Sequence, residues 1–246
     1  MKIISVIPAR YKSSRFPGKP LADICGKPMI WWVYHEALKT GRYDEVIVAT
    51  ESDLIIEKCE ELGIKAMLTS NSHPTGTDRV AEVADKVEAD IYVVIMGDEP
   101  LISADDERRL IDVMIDKPDA DAVMLTERFV YPVDAVNTTT IKLAISDDGY
   151  LIFMSRFPIP YPKEELGYDL YKNVGCYAFR KDALKFYQNT TPGNIERAEG
   201  IELLRLLENH KRIMTVKIDS ESMAVDTPKD LDRIRKVMAN RLNQQA

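Results

Sequence analysis

The first half of the chain alternates short apolar runs of strand length with segments of helical periodicity. The apolar runs are Ile3–Ile7, Glu45–Thr50, Lys65–Leu68 and Ile91–Ile95, and the helical patterns between them are Met29–Lys39, Asp53–Leu62 and Thr77–Lys86. The run at Ile91–Ile95 is apolar throughout, as strands of a parallel sheet are when helices cover both faces. This alternation predicts an α/β fold with a doubly wound, mostly parallel sheet.

Beyond about residue 122 the pattern changes to strands with few helices between them. The strand-like segments are Ala122–Arg128, Thr140–Ser146, Leu151–Met154 and Cys176–Arg180, and Arg156–Tyr161 reads as an extended Pro-x-Pro segment. Helical patterns return at Asp182–Gln188, Ile195–His210 and Pro228–Leu242, with a strand at Ile213–Ile218. We expect one domain over residues 1–246, with a β-rich excursion at about 122–180 that covers the site or pairs with a second subunit.

Composition excludes several classes of protein. With 45% hydrophobic residues in 246, the chain has enough apolar side chains for one substantial core. Its formal net charge of −7 disfavours a nucleic-acid surface, which needs a broad basic face. Cys25, Cys59 and Cys176 are scattered and predict neither disulfides nor a zinc site. No apolar run is long enough for a membrane span, and Met1-Lys2 leads straight into a predicted strand, so we expect a cytoplasmic protein without membrane partners.

A basic loop follows the first predicted strand. It carries Arg10, Lys12, Arg15 and Lys19, with no acidic residue before Asp23. Open α/β sheets bind ligands at the carboxyl ends of their strands, and cations together with inward-facing backbone N–H groups bind anions there. The alternative is a solvated basic turn, which the position after a buried strand disfavours. The loop's glycines match neither the dinucleotide fingerprint nor the ATP-hydrolysing P-loop. The loop therefore predicts a polyphosphate site of another kind.

Two aspartates at turns are candidate metal ligands. Asp98 follows Gly97 at the end of the fourth predicted strand, and Asp226 lies in Ala224-Val225-Asp226-Thr227-Pro228, which we expect to end the last strand and open a helix. Mg²⁺ prefers one or two carboxylates combined with substrate phosphate oxygens. The alternatives are an ordinary turn at Asp98 and a helix N-cap at Asp226. Both readings stay open on the residues alone.

Six motifs occur in the order typical of one enzyme family. They are Ile7-Pro8-Ala9-Arg10 with Ser14-Arg15-Phe16-Pro17-Gly18-Lys19-Pro20-Leu21, Gly76-Thr77-Asp78-Arg79, Gly97-Asp98-Glu99-Pro100, Ser155-Arg156, Pro158-Ile159-Pro160 and Val225-Asp226-Thr227-Pro228. From Ile3 to about Lys236 the chain resembles the 3-deoxy-manno-octulosonate (Kdo) cytidylyltransferases, also called CMP-Kdo synthetases. The resemblance implies a Rossmann-like nucleotidyltransferase fold, CTP and a small acidic acceptor as substrates, Mg²⁺ as cofactor, and a homodimer built largely through the β-rich excursion.

The resemblance also implies residue roles. The acceptor's hydroxyl would attack the α-phosphorus of CTP and pyrophosphate would leave, so catalysis is mainly positioning and charge neutralisation. Arg10, Arg15 and Lys19 would hold the triphosphate, with Arg10 and Lys19 among the catalytic residues, and Asp98 and Asp226 would hold the metal. The residues implied to line the cytidine pocket are Pro8, Ala9, Ser14 and Asp78 or Arg79.

The acceptor region departs from the family pattern. Met96 stands where the family usually has Gln, Asn173 where it usually has His, and Leu203 where it has the Gln of Glu-Gln-Leu-Arg. Loss of such polar groups can change the selection of a polyol by orders of magnitude. The full set of candidate acceptor residues is Met96, Lys142, Arg156, Asn173, Tyr177, Glu199, Glu202 and Leu203.

Three functions stay open on this basis. The acceptor is Kdo if neighbouring residues compensate for the lost polar groups; otherwise it is another acid such as an amino-Kdo, a different ulosonate or a phosphonate. A non-catalytic nucleotide-binding relative is the third, and the presence of both candidate metal acids and all four loop cations argues against it.

Overall fold

The core of the fold is a mixed sheet in which neighbouring parallel strands are joined by helices. The computed structural model describes residues 1–13, 15–161, 163, 169–218 and 220–245. The strands are β1 (Ile3–Pro8), β2 (Asp23–Ile24), β3 (Lys27–Pro28), β4 (Glu45–Thr50), β5 (Ala66–Leu68), β6 (Ile91–Ile95), β7 (Ala122–Arg128), β8 (Lys142–Ile145), β9 (Leu151–Ser155), β10 (Tyr171–Arg180) and β11 (Ile213–Ile218). The helices are α1 (Met29–Leu38), α2 (Asp53–Glu61), α3 (Gly76–Lys86), α4 (Ala104–Asp116), α5 (Lys181–Asn189), α6 (Asn194–Glu199), α7 (Leu204–Glu208) and α8 (Pro228–Gln245).

The strand order of the main sheet is β11-β7-β10-β6-β1-β4-β5. β10 is antiparallel to both β6 and β7, and the pairings β1–β4, β1–β6, β4–β5 and β7–β11 are parallel. The prediction of a mostly parallel, doubly wound sheet is therefore confirmed. Because β10 runs in the opposite direction, its first residues lie at the edge where β1, β4 and β6 end.

Helices cover both faces of this sheet, which explains why its central strand β6 is apolar throughout. On one face lie α1, α2 and α4, which contribute side chains such as Val33, Ile55 and Leu110 to a buried cluster with residues of the sheet. On the other face lie α3, α5 and α7, with Val80 and Leu184 in a second buried cluster. A smaller cluster seats α8 against β2 and the start of α1. No helix in the described ranges is long and apolar enough to cross a membrane.

The β-rich stretch is organised differently from the expectation. β7 and β10, at its two ends, belong to the main sheet, whereas β8 and β9 form an antiparallel hairpin that pairs with the start of β10 through Tyr171 and Lys172. β10 begins at Tyr171 rather than Cys176. The excursion from the main sheet is therefore the hairpin with its flanking segments.

One helix was not predicted and two expectations about elements are wrong. The helix without a prediction is α4, which Ser103 caps by accepting a hydrogen bond from the Asp106 backbone N–H. The single helix expected at Ile195–His210 is two helices, α6 and α7, because Gly200 adopts a left-handed conformation (φ 61°) and ends the first. The last strand, β11, ends at Ile218, so Asp226 does not follow a strand directly.

Candidate active site

The basic loop begins at the end of β1 and is attached to its neighbours by backbone hydrogen bonds. The Ala9 N–H donates to the Ala49 carbonyl (2.9 Å), and the Gly18 N–H donates to the Tyr11 carbonyl (2.8 Å). The Tyr11 N–H donates to the Glu51 carboxylate (3.0 Å), at the end of β4. Gly18 has φ 70°, a conformation that L side chains rarely adopt. The loop is thus held at the carboxyl edge of the sheet, as the sequence predicted.

The turn that carries Asp98 approaches this loop closely. Gly97 permits the approach, because a Cβ at that position would lie 2.9 Å from the Pro8 carbonyl oxygen. Pro8 and Ala9 are buried at the junction, and the exposed Arg10 donates to the Pro74 carbonyl (3.2 Å), before α3. Ser14 lies outside the described residues.

Cations of the loop face both candidate metal aspartates. The Lys19 Nζ lies 2.5 Å from Asp98 Oδ2, and an Arg15 guanidinium nitrogen lies 3.0 Å from Asp226 Oδ1. The backbone joins the two aspartates, since the Val225 N–H donates to the Asp98 carbonyl (2.9 Å). The structure therefore brings all four of these predicted residues together in one ionic cluster.

Asp226 is not the N-cap of α8, which removes one of its two alternative readings. Thr227 and Asp230 form the cap instead: the Thr227 N–H and hydroxyl each donate to the Asp230 carboxylate (2.8 Å), and the Asp230 N–H faces the Thr227 hydroxyl oxygen (3.4 Å). The Asp226 carboxylate is left to face Arg15.

The two aspartates suit Mg²⁺ as a donor set. In the part of the chain that the structure describes, no group of three or more His, Cys, Asp or Glu side chains is arranged to hold a metal. A cation between Asp98 and Asp226 would take the remaining oxygens from phosphate and water, which is how Mg²⁺ is usually bound at phosphate-transfer sites.

The predicted cytidine-pocket residues Asp78 and Arg79 are used within the protein. Asp78 forms a capping box with Thr75 at the start of α3 and lies 3.6 Å from the Arg205 guanidinium. Arg79 is 1% exposed and forms an ion pair with Glu51 (2.9 Å), the residue that also holds Tyr11. The prediction of direct nucleotide contact is corrected for Arg79, since burial leaves its guanidinium under the loop.

Five candidate acceptor residues lie where β6, β10 and α7 approach one another. The Asn173 amide and Tyr177 hydroxyl hydrogen bond to each other (2.9 and 3.2 Å). The Met96 thioether packs closely on Gly76: a Cβ on Gly76 would lie 3.2 Å from Met96 Cε. The Thr77 N–H donates to Glu202 (3.3 Å), and burial raises the pKa of both Glu202 and Tyr177. Leu203 is 2% exposed in the core, so the prediction that it contacts the acceptor is corrected.

Lys142 does not face an acceptor. It is fully buried, and its Nζ donates to the backbone carbonyls of Asn137 (2.7 Å), Thr140 (2.9 Å) and Arg156. Three carbonyls saturate an ammonium group, which has three N–H donors. The predicted role of Lys142 in binding an acid is therefore wrong.

Arg156 and Glu199 likewise have protein partners. The Arg156 guanidinium donates to the carbonyls of Glu199 (2.7 Å), Thr138 (3.1 Å) and Gly200 (3.1 Å). Glu199 accepts from the Ser155 hydroxyl (2.7 Å) and the Arg156 N–H (2.9 Å). The contacts described for these two residues join the end of β9 to the end of α6.

Sequence reasoning missed two acidic residues at the site. Glu51 joins the basic loop to α3, and its only sequence signal is its position directly after a predicted strand. Glu99 is 7% exposed and accepts from the Gly175 N–H (3.1 Å); burial, with Asp98 adding to it, raises its pKa from 4.5 to about 8. It lies in the motif quoted above, yet only the structure shows that it points away from Asp98 into the sheet.

Comparison with known proteins identifies relatives over the whole chain. Residues 4–213 match a family model described as cytidylyltransferase. The 3-deoxy-manno-octulosonate cytidylyltransferase of Escherichia coli is 40% identical, with 100% of this chain and 99% of that protein covered. The enzyme of the same name from Geobacter metallireducens is 41% identical, over 95% and 96% of the two chains.

Two solved structures are also similar. A CMP:2-keto-3-deoxy-manno-octonic acid synthetase complexed with CTP superposes with a TM-score of 0.93 at 40% identity, covering 98% of this chain and 100% of the other. A putative glucose-1-phosphate thymidylyltransferase from Bacillus anthracis has a TM-score of 0.70 at 14% identity, covering 96% and 94%. The second likeness shows the fold alone.

Proposed function

The chain belongs to the 3-deoxy-manno-octulosonate cytidylyltransferase family, and from that premise we propose that it transfers CMP from CTP to a hydroxyl of an acidic sugar, Kdo or a related ulosonate, with release of pyrophosphate. The observation that carries the proposal is the ionic cluster at the carboxyl edge of the sheet, in which Lys19 faces Asp98 and Arg15 faces Asp226. Each pair combines a cation suited to a triphosphate with a carboxylate suited to its metal, and the hydrogen bond from the Val225 N–H to the Asp98 carbonyl links the two pairs.

In this reaction the acceptor's hydroxyl oxygen forms a bond to the α-phosphorus, the bond from that phosphorus to the pyrophosphate oxygen breaks, and the hydroxyl proton passes to solvent water. Arg10, Arg15 and Lys19 bind the triphosphate and stabilise the charge on the leaving pyrophosphate. For this, Arg15 and Lys19 exchange their aspartate partners for phosphate oxygens. Asp98 and Asp226 would hold Mg²⁺, which, when bound, polarises phosphate oxygens and neutralises their charge.

Replacing one metal aspartate tests the proposal. We expect Asp98→Asn to lower turnover by at least about tenfold at saturating CTP, because an amide oxygen is a much weaker ligand for Mg²⁺ than a carboxylate. Pyrophosphate release is the measurement. Asp112→Asn is the matched control, since Asp112 is a half-exposed aspartate of α4 that pairs with Arg42 away from the site. Turnover near that of the parent enzyme in Asp98→Asn with Mg²⁺ would refute the metal assignment.

Two residues at the candidate acceptor site differ from those usual in the family. The site presents the Asn173 amide, which is hydrogen-bonded to Tyr177, and the Met96 thioether, where the family usually has other polar groups. Because such groups select the acceptor, an acid other than Kdo is the second candidate. The discriminating experiment measures pyrophosphate release with CTP, Mg²⁺ and a panel containing Kdo, an amino-Kdo, other ulosonates and phosphonates. A parallel series with UTP, ATP and GTP tests the choice of base. CTP binding without turnover of any acid would favour a non-catalytic relative.

We also propose that the protein is a cytoplasmic homodimer that uses the hairpin region as its interface. Large apolar side chains are exposed throughout this region, at Val130, Tyr131, Val136, Ile152, Phe157 and Tyr161. Such exposure is typical of a protein–protein interface. Sedimentation velocity should show a dimer that Phe157→Glu dissociates. Leu54→Glu, which replaces an exposed leucine of α2, should leave the dimer intact. A parent protein that sediments as a monomer would contradict the proposal.

A further inference from the structure

We propose that Glu99 is a positioning residue for the transfer reaction: it fixes the turn carrying Asp98 against Gly175 of β10, and so sets the place of Asp98 relative to the strand that bears Asn173 and Tyr177. The inference rests on the proposed function in one respect, namely that Asp98 serves the reaction at this site. It adds a residue whose task is to hold other residues in register rather than to touch substrate.

Three hydrogen bonds form a closed link between the turn and the strand. The Met96 N–H donates to the Gly175 carbonyl (2.8 Å), and the Glu99 N–H donates back to the Met96 carbonyl (3.0 Å). The Gly175 N–H donates to Glu99 Oε1 (3.1 Å). The turn therefore binds both backbone groups of Gly175. The Gly175 carbonyl is bound by the main chain of the turn, and the Gly175 N–H is bound by the Glu99 side chain.

The close approach depends on Gly175 having no side chain. A Cβ at this position would lie 2.9 Å from Glu99 Cγ and 3.0 Å from Met96 Cβ. The ladder between β10 and β6 ends at the pair Cys176–Ile95, so Gly175 lies just beyond it. The Met96 carbonyl accepts from the Glu99 N–H rather than from Gly175, and Glu99 supplies the acceptor that the Gly175 N–H requires.

The same turn is held on its other side by the segment before α8. The Val225 N–H donates to the Asp98 carbonyl (2.9 Å), next to Asp226. Glu99 and Asp98 point in different directions: the Glu99 side chain is buried against β10, whereas the Asp98 side chain is 25% exposed and faces Lys19. Loss of the Glu99 contact would therefore leave the turn joined to β10 only through the bond from the Met96 N–H to the Gly175 carbonyl, and would loosen the position of Asp98 relative to β10 while its contact with the Val225 segment remains.

A buried glutamate at position 99 lowers the stability of the fold unless its contacts compensate for the burial of its carboxyl group. Glu99 Oε2 is buried and has no hydrogen-bond partner among the described residues, and a buried polar atom without a partner costs about 1–3 kcal/mol. An apolar side chain of similar length would avoid that cost, but it would leave the Gly175 N–H without an acceptor. The carboxyl is thus explained by the link that it makes.

The test compares two replacements of similar length. Glu99→Gln retains a side-chain oxygen for the Gly175 N–H, whereas Glu99→Met retains only the shape. We expect Glu99→Met to lower kcat by at least about tenfold while KM for CTP stays within about threefold of the parent value, and Glu99→Gln to keep kcat within about threefold. The acceptor is the acid that the parent enzyme turns over in the panel above.

Hydrogen exchange of the Gly175 amide provides a readout that does not depend on turnover. Exchange should be at least about tenfold faster in Glu99→Met than in the parent, and unchanged in Glu99→Gln. Glu107→Met is the matched control: Glu107 is also a buried glutamate with one partnered and one unpartnered oxygen, but it contacts Tyr43 rather than the turn. It should lower stability without lowering kcat.

Parental kcat in Glu99→Met, an equal loss in Glu99→Met and Glu99→Gln, or an equal loss in Glu107→Met would each overturn the inference. If Glu99→Met does not fold, Glu99→Asp takes its place: it keeps the carboxyl group but withdraws the oxygens by one methylene, and it should lose kcat and Gly175 protection as Glu99→Met would. A parent protein that turns over no acid refutes the proposed function, and the positioning role with it; an active parent with an unimpaired Glu99→Met refutes the positioning role alone.

Discussion

Glu107→Gln should make the protein more stable than the parent near pH 8 and less stable near pH 5. Glu107 lies on α4 with 1% of its surface exposed, and the Tyr43 hydroxyl donates to its Oε2 (2.6 Å). Burial, to which the neighbouring carboxylates of Glu36 and Asp106 add, raises the pKa of Glu107 from 4.5 to about 8, although Tyr43 and Arg108 act in the opposite direction. Between these two pH values the folded protein holds a proton that the unfolded chain has lost.

The sign and size of the effect follow from this difference. Folding takes up a proton in the window, so stability of the parent falls as pH rises, by up to about 1.4 kcal/mol per unit and at most about 5 kcal/mol in total. Glutamine does not titrate and lacks this slope. The amide NH₂ of the glutamine would take the place of Glu107 Oε1, which has no described hydrogen-bond partner. A buried NH₂ group without a partner lowers the free energy of unfolding by about 1–3 kcal/mol at every pH. The two stability curves should cross at about pH 6, with the variant ahead by about 1–3 kcal/mol at pH 8.

Urea unfolding followed by far-UV circular dichroism, at several pH values from about 5 to 8, measures both curves. Glu57→Gln serves as the control, since Glu57 is an exposed residue of α2 whose replacement should change stability little at any pH. The reasoning is refuted if the stability difference between Glu107→Gln and the parent is the same, within about 0.5 kcal/mol, across the whole range.

Two further predictions concern buried cations. Lys142→Met should lower stability by about 2–4 kcal/mol, because backbone carbonyls lose their donor, while KM for the acceptor stays within about threefold; a much larger rise in KM would restore a direct role in acceptor binding. Arg205 is 3% exposed and binds Glu196 through two hydrogen bonds (2.9 and 2.7 Å). Arg205→Met should cost about 3–5 kcal/mol in urea unfolding, and the double variant with Glu196→Leu should be more stable than Arg205→Met; a double variant that is less stable would contradict the cost of an unpaired buried charge.

The location of the site could be predicted because it follows from backbone geometry. Apolar runs identify β1 and β6 as buried parallel strands, and parallel strands present their carboxyl ends at one edge of a sheet. The basic loop after β1 and Asp98 after β6 must then be neighbours. Their contact in the structure, through Lys19 and Asp98, needs no information beyond strand direction and residue type.

Some elements could not be recognised because local signals conflicted. In α4 the charged run from Asp105 to Arg109 obscures the apolar stripe of Leu110, Ile111 and Met114. In Ile195–His210 the helical periodicity continues across Gly200, although the chain leaves the helix there in a left-handed conformation. Periodicity reports which residues are buried, and it does not report where the backbone turns between two buried segments.

Side-chain direction was the least predictable property. Sequence shows that Lys142, Arg156 and Glu199 are charged, but it does not show that their hydrogen bonds join the segments beside the β8–β9 hairpin to one another and to the end of α6. A buried charge is stable only with partners, and backbone carbonyls can supply them for a cation. Charged residues near a predicted site are therefore ambiguous until their tertiary partners are known.

The cross-loop ion pairs have a consequence for how CTP enters. Cations and carboxylates that neutralise each other in the free protein avoid the repulsion that four like charges in one loop would create. Arg15 and Asp226 are 55% and 33% exposed, and a pair of that exposure contributes only about 0–1 kcal/mol. Arg15 can therefore exchange Asp226 for a phosphate oxygen at little cost in free energy. Lys19 and Asp98 are less exposed, at 13% and 25%, so their separation should be the more costly step. On the proposed function, a magnesium-bound triphosphate would compensate both partners at once, because it would bring anionic oxygens to Lys19 and a cation to Asp98.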